Sequence, residues 1–247
     1  MTVHRALWLI AAAVVLIGWL GVAPAAGQDG VPDTKLSAKA TATPSKAGTK
    51  RNPRGLAIKA TARIDSEPGF ERPVVTGVDI LVGKGLVWNA DDYAKCTKRV
   101  LDREGPKGCP RRSIMGQARV TARADTVAVH ADVVFFNGGW KRTFAYTTLY
   151  NPALVQEAIV VKRTKARGRW AHRESLRVPK SLQVVAGVPI QVTGAKMRIG
   201  GKRYARDYIT SSSCPKGGWR YRATVHYLFA TGKAGRDTFD GSIRCTK

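Results

Sequence analysis

The chain has 247 residues, and its 42 Lys and Arg against 17 Asp and Glu give a formal net charge of +25. A field of that size draws polyanionic partners and carries no information about fold. Only one apolar run comes close to membrane length, so a bundle of membrane-spanning helices is excluded, and the roughly 220 residues beyond it allow one ordinary domain or two small ones.

Residues 1–26 read as a secretory signal peptide. Arg5 supplies the one formal side-chain charge ahead of an apolar run from Ala6 to Ala23, and Ala23-Pro24-Ala25 offers small residues for cleavage after Ala25 or Ala26. The run approaches bilayer length, so an uncleaved N-terminal membrane anchor is the alternative. Gly18, Gly21 and Pro24 interrupt it and favour cleavage. No cysteine marks a lipoprotein anchor, and the single Arg argues against twin-arginine export. The expected location is secreted or on the extracellular cell surface.

Residues 27–54, rich in Lys, Thr, Ala, Ser and Pro with few large apolar side chains, read as a flexible basic tether, because such a composition buries too little surface to offset its ordering entropy. Residues 55–247 then form a single domain. Within it, period-two alternation marks half-buried strands in "LAIKATARI", "QARVTARAD" and "WRYRATVHYLF". The stretch "VAVHADVVFFNGGWKRTFAYTTLY" reads as two strands joined at Asn137-Gly138-Gly139, residues that accept positive φ in a hairpin turn. Further strands are expected in "RPVVTGVDILV", "AIVVKRTKA", "SLQVVAGVPIQVTGAKMRI" and "DTFDGSIRC". One short helix is expected over Asp91–Asp102, with Asp91 as its cap. Many strands separated by Gly, Pro and Asn turns predict an all-β fold, an antiparallel β-sandwich of immunoglobulin-like or jelly-roll-like type, with the helix in a disulfide-closed insertion.

The four cysteines allow three pairings. Cys96 with Cys109 and Cys214 with Cys245 are favoured, since each pair is close in sequence and flanked by turn residues ("EGPKGCP", "SSSCPKGG"). No C-x-x-C occurs and no histidine lies near a cysteine, so the usual zinc spacings are missing. Export favours disulfides over a metal or catalytic role. Neither a metal nor a cofactor is called for.

The signal peptide, a first cysteine followed by C-P-x-x-S-x-x-G (Cys96, then Cys109, Pro110, Ser113 and Gly116), and a late cysteine ahead of an aromatic strand (Cys214, Trp219) resemble a group of uncharacterised exported β-rich proteins of actinobacteria. The resemblance implies an exported β-rich domain and adds no activity.

No G-x-S-x-G, H-E-x-x-H or G-x-x-x-x-G-K-[ST] motif is present, and no catalytic residues are assigned. The nearest thing to a catalytic set is His130 with Asp132, two apart on one strand face, together with His226. They would serve a hydrolase acting on an envelope glycan or ester if their strands converged, and otherwise form a polar solvent face. Asp91 and Asp92 read as a helix cap and Ser113 as a turn hydroxyl. The densest basic run is Lys162 to Arg173, "KRTKARGRWAHR". Extended, it places Arg163, Lys165, Arg167 and Arg169 on one side with Trp170 adjacent. Lys162, Arg163, Lys165, Arg167, Arg169, Trp170 and Arg173 are the candidate anion-binding set, since guanidinium groups pair with phosphate or carboxylate and indole stacks on rings. A second run adds Lys202, Arg203, Tyr204 and Arg206. The same charges also suit a solvated hairpin that blocks edge pairing. The function expected is therefore a non-catalytic binding protein of the cell envelope or exterior, with an anionic envelope polymer or lipid head groups as partner. Extracellular nucleic acid is the lesser candidate.

Overall fold

The structure, a computed structural model, describes residues 34–66 and 72–247; the signal-peptide reading of residues 1–26 lies outside them. The elements in chain order are β1 (Thr34–Thr43), β2 (Arg54–Gly55), β3 (Ala57–Ser66), β4 (Val74–Gly83), β5 (Leu86–Trp88), α1 (Lys98–Glu104), β6 (Ile114–Ala124), β7 (Val127–Asn137), β8 (Arg142–Leu149), β9 (Val155–Lys165), β10 (Trp170–Arg177), α2 (Lys180–Gln183), β11 (Val184–Val185), β12 (Val188–Gly200), β13 (Ile209–Ser211), β14 (Trp219–Leu228) and β15 (Ala234–Ile243). Twelve strands form one sheet in the order β1-β3-β12-β6-β7-β8-β9-β10-β4-β14-β15, with β11 paired to β12; β2, β13 and β5 form a second, small sheet. Every strand pairing is antiparallel, as the all-β reading expects.

The large sheet curls until its two edges meet. β1 packs against β15, the Leu36 amide donates to the Asp237 carboxylate, and the Tyr221 hydroxyl lies 3.3 Å from the Ala38 carbonyl oxygen. The two facing layers of the expected sandwich are thus opposite walls of one continuous, barrel-like sheet. Closure of this kind removes the exposed edges on which a sheet would otherwise aggregate.

Residues 34–43 depart from the sequence reading, which places them in a tether. They form β1, paired residue for residue with β3 from Thr34–Ser66 to Thr43–Ala57. The alternation is present in "TKLSAKATAT", with Leu36, Ala38, Ala40 and Ala42 on one face and Lys35, Ser37, Lys39 and Thr41 on the other. Alanine carries so little hydropathy that composition hides it. The following residues are also held: the Ala47 amide donates to Thr246 O at 2.8 Å, and Ala47 is buried.

The helix is shifted relative to its expected span. Asp91 sits in a 3-10 turn and pairs with Lys95 at 2.8 Å. α1 starts after Thr97, whose hydroxyl accepts from the Val100 amide at 3.3 Å. The disulfide Cys96–Cys109 closes this insertion, and Cys214–Cys245 joins the chain before β14 to the chain after β15; both are the expected pairings. Leu101, Cys96 and Cys109 pack on Phe136, Phe144, Tyr146 and Ala158, which belong to the outward faces of β7, β8 and β9. That cover explains why "VVFF" is apolar on both faces. Asn137 anchors the insertion. Its amide donates to the carbonyls of Ala90, Tyr93 and Ala94, and its Oδ1 accepts from Gly139; of the three hairpin residues only Gly139 takes positive φ.

Candidate functional site

The inward faces of the strands enclose a cavity of about 390 Å³. Its lining reaches from Leu86 and Trp219 at one end to Val178 and Leu182 at the other, so it follows the barrel axis. On β3 alone the lining runs from Ile58 to Ile64, about 20 Å along a strand at ~3.4 Å per residue. The space exists because the walls are built on small side chains. Ala38, Ala60, Ala62, Ala118, Ala122, Ala131, Ala145, Ala195 and Ala223 all face it. Barrels of about eight strands are filled by their own side chains or hold one small ligand, and wider ones leave more internal space. The signal for this was legible as alanine recurring at period two. It marks buried strand faces, but it shows a cavity only once the faces are known to oppose one another.

One end of the lumen is polar. Glu174, the only acidic residue of the lining, accepts from Arg163 Nε at 2.9 Å and Nη2 at 2.7 Å, the two residues being direct partners across the β9–β10 ladder. Arg163 also donates to Trp140 O at 3.1 Å and to Thr143 Oγ1 at 3.4 Å, and its guanidinium lies 5.8 Å from the Trp88 ring centre. Burial works against the Arg163 charge, but Glu174 and Tyr208 hold its pKa above the ordinary value. His172 stacks edge-on to Trp88 at 4.4 Å. Burial, aided by Arg163 and opposed by Glu174, pushes its pKa down to about 4, so at neutral pH the imidazole is neutral. The pole as a whole is a compensated ion pair with a neutral histidine. It suits an uncharged polar group better than an anion.

Arg163 therefore does not belong to a solvent-facing anion site: its side chain is 2% exposed, since odd positions of β9 face inward. Lys162, Lys165, Arg167, Arg169 and Arg173 are exposed, and Trp170 is half-buried. The Trp170 ring already lies 5.0 Å from the Arg169 guanidinium and 5.9 Å from that of Arg222, and Arg222 is paired with Asp240. A second basic surface, not singled out from sequence, crosses the outer wall of β3, β12 and β6. Lys59 stands directly opposite Arg198, and Lys196 opposite Arg119, with Asp132 paired to Arg119 at 3.0 Å. Like charges facing each other across a ladder are destabilising unless an anion lies between them. Only register could reveal this, because the residues are far apart in sequence.

The histidine and aspartate candidates are not brought together. His130 is exposed on β7 beside Tyr150, with ring centres 5.7 Å apart, and Asp132 is engaged by Arg119. His226 lies on β14, five strand positions from β7 along the sheet, and its Nε2 is 2.8 Å from Asp79 Oδ2. Burial works against the Asp79 charge, but bonds from Ser175, His226 and Arg177 hold its pKa below the ordinary value. Ser113 is buried with its hydroxyl donating to Pro110 O at 2.6 Å, a turn role. No known protein family, curated protein or solved structure matches this chain at a significant level.

Proposed function

We propose that this protein is an exported, non-catalytic carrier that holds the hydrocarbon chain of a lipid, or a similarly elongated apolar molecule, inside its barrel. The observation that carries the reading is the axial cavity of about 390 Å³ with alanine walls. That volume lies within the ~300–1,000 Å³ of typical small-molecule sites. Left unfilled, a void this large would cost on the order of 10 kcal/mol by the volume dependence of core truncations, which is comparable to the whole stability of a domain. The polar pole meets the lumen through Glu174, with Arg163 and His172 packed against that carboxylate, and would receive an uncharged polar group of the ligand. The two disulfides fit an oxidising compartment, and no helix among the described residues is long and apolar enough to cross a membrane. The strands carry Lys59, Arg63, Arg119 and Lys196 outward and apolar residues inward, the reverse of a membrane-spanning barrel.

The test is to export the protein, extract it with organic solvent and identify released lipid by mass spectrometry, then titrate the stripped protein with a fluorescent long-chain alcohol, whose head group is uncharged. Ala60→Leu with Ala122→Leu fills the lumen and should weaken binding by about tenfold or more while leaving the thermal midpoint equal or higher. No extracted lipid together with no binding, or equal binding by the filled variant, would defeat the proposal.

A second reading, binding of an anionic envelope polymer, is supported by the facing cations Lys59 with Arg198 and Lys196 with Arg119. It uses the outer wall and is compatible with a ligand inside.

A further inference from the structure

Six large apolar side chains stand exposed among the described residues: Val87, Val127, Tyr150, Leu154, Val184 and Leu228. Five of them share one end of the barrel. Val127 opens β7, Tyr150 and Leu154 form the β8–β9 connection, Val184 is the tip of the α2–β11 segment, and Leu228 closes β14; only Val87 lies at the opposite end. Register fixes the common end. β6, β8, β10 and β14 finish there, and β7, β9, β4, β15 and β12 begin there. Val127, Leu154 and Val184 are 60%, 64% and 49% exposed, values at which a lone surface residue needs no explanation but a shared rim does.

The lumen reaches the same end. Leu182 of α2 lines the cavity, so α2 and β11 sit across its mouth, with the Ser181 hydroxyl donating to the Glu157 carboxylate of β9. Just behind the apolar tips, the strand ends and turns present exposed Lys35, Arg63, Arg123, Lys233 and Arg236, and α2 adds Lys180; Asp65, Asp125, Glu157 and Asp237 are acids at the same end. Apolar tips, a tyrosine and a cationic collar make up the chemistry of a surface that seats on an anionic bilayer, with aliphatic groups among the acyl chains and guanidinium groups at the phosphates.

We propose that this end of the barrel docks on an anionic lipid bilayer and that α2 and β11 form the portal through which the apolar ligand enters or leaves. The proposal rests on the carrier reading for its purpose, but its geometry is separate: the docking residues stand at strand ends and in the β8–β9 connection, and none of the exposed tips lines the lumen.

The test is flotation of the full-length exported protein with phosphatidylglycerol vesicles and, separately, with phosphatidylcholine vesicles. Stopped-flow transfer of the same fluorescent long-chain alcohol from each kind of vesicle is followed alongside. The variant Leu154→Asp with Val184→Asp replaces two exposed tips. Binding to phosphatidylglycerol should exceed binding to phosphatidylcholine, fall at high salt, and drop by about tenfold or more in the variant. Transfer from phosphatidylglycerol should slow in parallel, while equilibrium loading from aqueous solution stays unchanged. Equal vesicle binding by wild type and variant, or a concentration-dependent dimer that the variant dissolves, would overturn the docking assignment. Vesicle binding without any loading of the long-chain alcohol would leave docking standing and remove the carrier reading instead.

Discussion

The guanidinium of Arg163 stands inside a mostly apolar barrel because Glu174 faces it directly across the ladder and takes two of its donors, and because Trp140 O and Thr143 take two more. A buried charge of this kind is tolerated only when paired and hydrogen-bonded. His172 shares the pocket without a charge. Its imidazole titrates near 4 in the folded chain against 6.5 for the free side chain. Between those values the unfolded chain binds a proton that the folded chain refuses. Stability therefore falls as pH drops from about 6.5 toward 4, by up to ~3 kcal/mol for a shift of this size. Urea unfolding of wild type between pH 7 and pH 4.5 should show this decline, and His172→Gln should flatten it; parallel curves for the two proteins would show that His172 is not its source. From sequence, Arg163 reads as one more surface cation in "KRTKARGR". Its inward direction depends on the register of β9 with β8 and β10, and local alternation of charged residues cannot supply that.

The strands whose two faces differ in polarity, β3, β6, β12 and β14, were legible because one face meets the core and the other meets water. β1 has the same pattern but is built from Ala, Thr and Lys, so composition assigned it to a tether. Its stability comes from the ladder with β3 and from the side of β15, contacts far away in sequence. The α1 insertion shows the same division. The Cys-Pro turn and the pairing of Cys96 with Cys109 were readable, while the cap is Thr97 in place of Asp91 because Asp91 belongs to a separate 3-10 turn that ends at Asp92 and the helix begins only at Lys98. The bridge closes a short loop whose helix is too brief to persist alone. Replacing Cys96 and Cys109 together by Ala should lower the unfolding free energy by about 3 kcal/mol, the chain-entropy value for a loop of this length. Chemical denaturation measures this, with an unchanged midpoint showing that the insertion holds by packing on Phe136 and Phe144 alone.

Across the whole molecule, the excess positive charge is spread over the outer wall and the mouth, and only a part of it lies in the run that stands out in sequence. The cross-strand cations Lys59, Lys196 and Arg198 present a fixed array on a sheet, whereas Lys165, Arg167 and Arg169 sit at a turn. If an anionic polymer seats on the wall, Ser at Lys59, Lys196 and Arg198 should lower the slope of log affinity against log salt by about two to three for a polyphosphate. Ser at Lys165, Arg167 and Arg169 should change it less. Fluorescence titrations at several salt concentrations decide between them, and the opposite ranking would return the site to the turn.

The sequence by itself determined the all-β class, the inward and outward faces of its clearest strands, the hairpin at Asn137 to Gly139 and the two disulfides. Each depends on neighbours along the chain, on period-two polarity, turn chemistry or short loop closure. The tertiary structure alone decided that β1 belongs to the sheet, that the sheet closes on itself, that Arg163 points inward, and that the alanine faces surround a cavity instead of packing together. These outcomes depend on which strand faces which across the barrel, and a pattern of alternation is the same whether the opposite wall is in contact or far enough away to leave room for a ligand.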